Sequence, residues 1–160
     1  MPYRVTFVCT GNICRSPMAE HVLRRHALEA GLDVEVDSSG TGGWHQGDPA
    51  DQRTVRTLRR HGYTAEHVAR KFQRDWFDGY DLVVALDDGH RRALTALARD
   101  DRDRAKIRLL RSFDPTAADG DVPDPYYDDD PVFEEVLEMI EAAVPGMLDE
   151  IRRAAKDSGA

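Results

Sequence analysis

Cys9-Thr10-Gly11-Asn12-Ile13-Cys14-Arg15-Ser16-Pro17 is the stretch on which the reading of this 160-residue chain turns. Residues 5–8 before it, Val-Thr-Phe-Val, form an apolar run that reads as a buried strand. Met18, Ala19, Val22, Leu23, His26 and Ala27 after it recur with helical period. The stretch therefore crosses from a strand end to a helix start, and Pro17 suits the first helical turn, where its missing N–H costs nothing. A turn of this kind gathers successive backbone N–H groups and the positive end of a helix dipole into one small space, which favours an oxyanion. Gly11 lets the backbone bend where a side chain would clash. Asn12 tolerates an unusual dihedral, and its amide can tie the loop together.

Into that nest the sequence puts a thiol, Cys9, and a guanidinium, Arg15. A cysteine near a helix N-terminus and a cation loses its proton readily, so Cys9 is expected as a thiolate near neutral pH. Arg15 stays charged and offers a planar fork for two phosphate oxygens. The pattern points to a phosphoryl group held by residues 10–16 (Thr10, Gly11, Asn12, Ile13, Cys14, Arg15, Ser16) with sulfur behind phosphorus, hence to a covalent thiophosphate. The Ser16 hydroxyl is close enough in sequence to donate to the Cys9 sulfur.

The nine residues quoted above resemble the signature of the low-molecular-weight protein tyrosine phosphatases, and so does Asp124-Pro125-Tyr126-Tyr127. The resemblance spans nearly the whole chain. It implies hydrolysis of phosphotyrosine and small aryl phosphates, with Cys9 as nucleophile, Arg15 binding phosphate and Asp124 as general acid, then base. On composition alone Asp124 is one of several acids, with Asp121 and residues 128–130 as rivals; the match to the family motif selects it. The resemblance also implies a supporting network of Asn12, Ser16, Ser38 and His67. It implies pocket walls from Ile13, Trp44, Tyr126 and Tyr127, and a reversible Cys9–Cys14 disulfide that shields the nucleophile. Related arginine phosphatases carry Thr where this chain has Ile13, so the apolar residue favours phosphotyrosine. His45 beside Trp44 has no fixed role. Catalysis of this type needs no metal and no cofactor, because Arg15 and the loop amides supply the charge stabilisation.

Length and patterning bound the rest. The chain is long enough for one domain, expected over 1–156 with a frayed tail at 157–160. Its net charge of −8 makes nucleic acid an improbable partner. Residues 112–151 contain no Lys or Arg, and their acids could attract basic residues around a phosphorylated site. No apolar run is long enough to span a membrane and no signal peptide is visible, so a cytoplasmic monomer is expected. Cys9 and Cys14 are the two cysteines, and no Cys/His spacing suggests zinc.

Strand and helix patterns alternate along the chain, which argues for a four-stranded parallel sheet with helices on both faces. Strands are expected at 5–8, 34–36, 82–86 and 107–110. Helices should follow the quoted loop, begin again near Asp48 or Asp51, and follow Asp87 as a cap. A short helix should form around Trp76 and Phe77. Residues 37–43 read as a flexible turn and 112–131 as a long functional loop. Phe133, Val136, Leu137, Ile140, Val144, Met147, Leu148 and Ile151 share one helical stripe, which Pro145 should kink or split. Right-handed crossovers leave few strand orders, and 2-1-3-4 puts the switch point at the end of the first strand, where Cys9 lies. Two other functions fit parts of the pattern. An arsenate reductase would share the loop but needs further thiols to relay oxidation. A phosphate-binding module would have no use for the thiol.

Overall fold

The computed structural model describes residues 2–117 and 120–159, without the side chains of 158 and 159. Four parallel strands, β1 (Tyr3–Cys9), β2 (Val34–Gly40), β3 (Leu82–Ala85) and β4 (Ile107–Leu109), lie in the order β2-β1-β3-β4. Helices α1 (Arg15–Glu29), α2 (Gln52–Arg60), α3 (Asp88–Leu97), α4 (Asp101–Lys106) and α5 (Asp130–Gly159) connect and cover them. Short 3-10 segments occupy Arg74–Gly79 and Leu110–Phe113.

The central position of β1 follows from its composition. Residues 5–9 are buried on both faces, and successive side chains point to opposite sides. Val5, Phe7 and Cys9 join the larger core with α1, α2 and α5, whereas Val8 joins Phe72, Phe77, Val83, Ala85 and Leu94 in the smaller core beneath α3. Helices therefore cover both faces, as the alternating pattern implies. Because β2 leaves β1 on one side and β3 on the other, the chain diverges at the carboxyl end of β1, and loops from both halves meet there.

Three elements differ from the sequence reading. β2 continues through Ser38, Ser39 and Gly40 where a flexible turn was expected, in register with Phe7, Val8 and Cys9. The extension is possible because Ser38 is hydrogen-bonded through its hydroxyl rather than hydrated, and because Gly40 has no side chain: a Cβ there would lie 2.6 Å from the Thr10 carbonyl. The short α4 was not foreseen; it is charged at every position but Ala105 and is started by Asp100, whose carboxylate accepts from the Asp103 amide.

The third difference is α5, which runs through Pro145 as one helix and is not split. A proline inside a helix costs about 3 kcal/mol. Against that, Ile140, Ala143 and Val144 before it and Met147 and Ile151 after it all enter the same core, each large side chain worth about 1.5–3 kcal/mol. Continuity of the apolar stripe wins. Gly146 is required at the crossing with the second 3-10 turn, since a Cβ there would collide with the Phe113 carbonyl. Asp157 is still helical, and residue 160 of the expected frayed tail lies outside the described residues.

Candidate active site

The loop from Cys9 to the start of α1 closes on itself through one side chain. Asn12 adopts φ 58°, the left-handed region that asparagine tolerates. Its amide nitrogen donates to Ser16 Oγ at 2.8 Å and to Ser38 Oγ at 3.0 Å, and its Oδ1 accepts from the Arg70 amide at 2.9 Å. Both amide protons and the carbonyl are thereby used. His67 Nε2 donates to the Asn12 carbonyl at 2.6 Å, and burial lowers the pKa of this imidazole, which keeps it a neutral donor. Ser38 in turn donates to Glu20 Oε1 at 2.6 Å. Glu20 is anchored by Arg24 at 2.6 Å.

This chain of donors has a consequence at Cys9. Ser16 Oγ accepts from Asn12, and its own proton lies between two acceptors, the Cys9 sulfur 2.8 Å away and the Ser39 carbonyl at 3.3 Å, of which the sulfur is the nearer. The sulfur sits beside the first turn of α1, which contains no acidic residue to cancel the helix dipole. Cys9 is only 3% exposed, yet it lines an open cleft of about 220 Å³ together with Arg15, Asp124, Ile13, Trp44, His45, Tyr126 and Tyr127. Sulfur and guanidinium thus face one space. Cys14 lines its edge, and burial, then the carboxylate of Asp51, pushes its thiol up to about 12.

Arg15 is buried and almost fully constrained. Its Nη1 donates to Asp87 Oδ2 at 2.8 Å and to the Val122 carbonyl at 2.9 Å. Asp87 does cap α3, with Oδ1 accepting from the His90 amide, but its other oxygen holds the guanidinium. Burial alone would raise the Asp87 pKa; the His90 amide and Arg15 outweigh it and hold the carboxyl below the usual carboxylate range. Asp124 Oδ2 lies 3.7 Å from Arg15 Nη2, and its Oδ1 accepts from the Tyr126 amide at 3.1 Å. Among the sequence rivals, Asp121 instead accepts from the Asp88 amide, and Asp130 pairs with Arg56 and Arg60. Asp128 contributes a backbone carbonyl, not its carboxylate, to the tie described next.

The loop carrying Asp124 is tied to the nest by Arg53. Asp51 donates its amide to the Ile13 carbonyl at 2.8 Å and pairs with Arg53 at 2.8 Å. Arg53 then donates to the Asp128 carbonyl at 2.6 Å and lies 5.7 Å from the Tyr126 ring. The rim is aromatic. Trp44 is 76% exposed with its indole against Gly42, where any Cβ would collide with it. His45 lies against Gly11 and, tilted, 6.4 Å from Tyr126; Tyr126 and Tyr127 meet edge to face at 5.0 Å.

Sequence reasoning missed Glu20, Arg53, Arg70 and His90, and gave Asp87 only its capping role. Glu20 follows Ser16 by one helical turn, a spacing that could have flagged it. The other contacts join residues more than 35 positions apart, and no local pattern marks them. Among the described residues no cluster of His, Cys, Asp and Glu could hold a metal ion, and no helix is long and apolar enough to cross a membrane.

An anion nest at the switch point of a parallel sheet, with a thiol at its base and a buried arginine at its side, defines a phosphoryl-binding α/β domain of the cysteine-dependent kind. Residues 4–157 match the family model described as low molecular weight phosphotyrosine protein phosphatase. The chain is 58% identical over 164 residues to the low molecular weight protein-tyrosine-phosphatase of Streptomyces coelicolor, with all of both chains covered. It is 48% identical to low molecular weight protein-tyrosine phosphatase A of Mycobacterium tuberculosis, covering 92% of this chain and 91% of that one. The crystal structure of YfkJ from Bacillus subtilis superposes with a TM-score of 0.89 at 36% identity, over 96% of this chain and 97% of that one. The tyrosine phosphatase of Entamoeba histolytica, with Hepes in its active site, gives 0.91 at 29% identity, over 95% and 98%. This chain belongs to the low molecular weight phosphotyrosine protein phosphatase family.

Proposed function

We propose that the protein hydrolyses phosphotyrosine in tyrosine-phosphorylated proteins, and small aryl phosphates, through a phosphocysteine on Cys9, and that it acts as a cytoplasmic monomer. The observation that carries the reading is the convergence of Cys9, Arg15 and Asp124 on one cleft of about 220 Å³. In its thiolate form the Cys9 sulfur attacks phosphorus while Arg15 and the loop amides bind the equatorial oxygens. The bond to the phenolic oxygen breaks, and Asp124 gives that oxygen its proton. Water then displaces phosphate from sulfur, losing a proton to the Asp124 carboxylate, which restores both groups. Ser16, oriented by Asn12, Ser38 and Glu20, donates to the sulfur and stabilises it as leaving group in this second step.

Substrate choice rests on the rim. Trp44, Tyr126 and Tyr127 make ring walls suited to a phenyl group. The fold alone does not choose, because YwlE, an arginine phosphatase, has a TM-score of 0.83 with this chain at 27% identity. Ile13 in the cleft floor favours the aryl ester. Free thiols at Cys9 and Cys14 suit a reducing compartment. Should peroxide convert Cys9 to a sulfenic acid, condensation with the Cys14 thiol would release water and form a disulfide. The high pKa of Cys14 makes that thiol a poor nucleophile at neutral pH. Iodoacetate near neutral pH is accordingly expected to modify Cys9 and spare Cys14, with inorganic phosphate protecting, as peptide mapping would read; equal labelling of both would contradict the assignment.

The test is hydrolysis of phosphotyrosine peptides without added metal, with Cys9 kept reduced, inhibition by vanadate, and rapid-quench isolation of phosphocysteine at Cys9. Intact phosphotyrosine under those conditions would sink the proposal.

A further inference from the structure

His90 is a buried residue in the first turn of α3, 4% exposed, that the mechanism above does not use. Its Nε2 lies 2.8 Å from Thr10 Oγ1 in the phosphate-binding loop and 3.4 Å from Arg15 Nη2. Its Nδ1 faces Asp87 Oδ1 at 3.2 Å and has no aligned hydrogen-bond partner among the described residues. A guanidinium only donates, so the nitrogen turned toward it must present a lone pair; the carboxylate on the other side draws the ring proton to Nδ1. Both neighbours select the same tautomer. Nε2 then accepts from the Thr10 hydroxyl and, more weakly, from Arg15.

Arg15 has five N–H groups. The two on Nη1 go to Asp87 and Val122. One on Nη2 is aimed at His90. With His90 taking the Nη2 proton on the Nη1 side, what is left is the Nε proton and the second Nη2 proton, the parallel pair along one side of the guanidinium that grips two oxygens of a phosphate. We propose that His90 is a positioning residue: by taking one Nη2 proton and the Thr10 hydroxyl, it fixes the guanidinium plane and the adjoining loop so that this pair faces the phosphoryl group.

The role holds only for neutral imidazole. Burial first, then Arg15, lower the His90 pKa to about 4, against the opposing pull of Asp87, Asp124 and Asp121. These groups, on the α3 cap, α1 and the 121–124 loop, are the charged neighbours identified as acting on the ring. Protonation would put an N–H where the lone pair was, aimed at the guanidinium. Phosphate binding should therefore weaken as pH falls through about 4.

The inference rests on the phosphatase reading, and the experiment separates the two. Inhibition constants for inorganic phosphate and KM and kcat for an aryl phosphate would be measured in wild type, His90→Leu and His90→Gln. Leu has the bulk without the acceptor; a Gln side chain carries an oxygen to about the place of Nε2 and does not titrate. For His90→Leu, phosphate affinity should fall about tenfold and KM rise in step, the low end for a hydrogen bond to a charged group. His90→Gln should stay within about twofold of wild type, and its phosphate affinity should not decline through pH 4 as that of wild type does. Unchanged affinity in His90→Leu, or a loss in His90→Gln as large as in His90→Leu, overturns the role. If neither variant folds, the nitrogen NMR shifts of the wild-type His90 ring decide instead: a proton on Nε2 at neutral pH overturns the role. An inert wild type would sink the phosphatase reading itself, whereas an active wild type with unaltered variants sinks only the role of His90.

Discussion

Replacing Cys9 by Ser is expected to lower turnover of aryl phosphates by at least about 10⁴-fold, the order seen when a nucleophile is removed from an otherwise intact site. The reason is local. A hydroxyl needs an adjacent base to attack phosphorus, and the side chain nearest the sulfur in the hydrogen-bond network is Ser16, itself a hydroxyl and too weakly basic to take the proton. His67, the imidazole tied to the loop, spends its Nε2 proton on the Asn12 carbonyl and does not reach the nucleophile. The fold should be indifferent to the change. Ser is smaller by little, keeps a hydrogen-bonding atom toward Ser16, and leaves Asn12, Ser38 and Arg15 in place, so unfolding free energy should shift by no more than about 1 kcal/mol. Phosphate should still bind, because the fork of Arg15 and the loop amides is untouched. Steady-state assays, urea titration and phosphate binding read the three quantities separately. Residual activity above one part in about 10² of wild type would mean that the covalent step runs through some other group.

The parts legible in the sequence were those encoded by neighbours. Residues 5–27 carry strand, loop and helix in one uninterrupted pattern, so the nest, the thiol and the guanidinium could be assigned together. Strand order followed from chirality and from where the switch point had to fall. What stayed hidden was encoded by distance. Nothing around His90 indicates that α3 starts against Thr10 and Arg15, and nothing around Arg53 indicates that its head group reaches Asp128. Composition misled at two points. Serines and a glycine at 38–40 looked like a turn because the hydroxyl ties to Asn12 and Glu20 could not be foreseen. Pro145 looked like a helix break because local propensity was weighed without the core on both sides of it. The acidic run at 112–151 was also less open than composition implied: Asp130 and Glu134 are paired with Arg56, Arg60 and His61 on the α2 side.

Asp124→Ala offers the sharpest separation of chemistry from architecture. Its carboxylate is about half exposed at the cleft mouth, 3.7 Å from Arg15 Nη2, with the other oxygen fixed by the Tyr126 amide. A phenolic leaving group of pKa about 10 must be protonated as it departs near neutral pH, so losing the donor should cost about 10²–10⁴ in kcat for phosphotyrosine. The loss must shrink as the leaving group becomes more acidic, since a phenolate stable in water needs no proton. A series of substituted aryl phosphates should therefore give a flat dependence of rate on leaving-group pKa in wild type and a steep negative one in the variant. That slope distinguishes a proton donor from a residue that only shapes the cleft, whose removal would lower every substrate alike. Asp121→Ala and Asp128→Ala serve as controls. The first loses a bond to the Asp88 amide and the second keeps the backbone carbonyl that Arg53 holds, so both should retain the wild-type slope. If Asp128→Ala steepened the slope instead, the donor would be that rival, and the assignment of Asp124 would fall while the nest, the nucleophile and Arg15 stood.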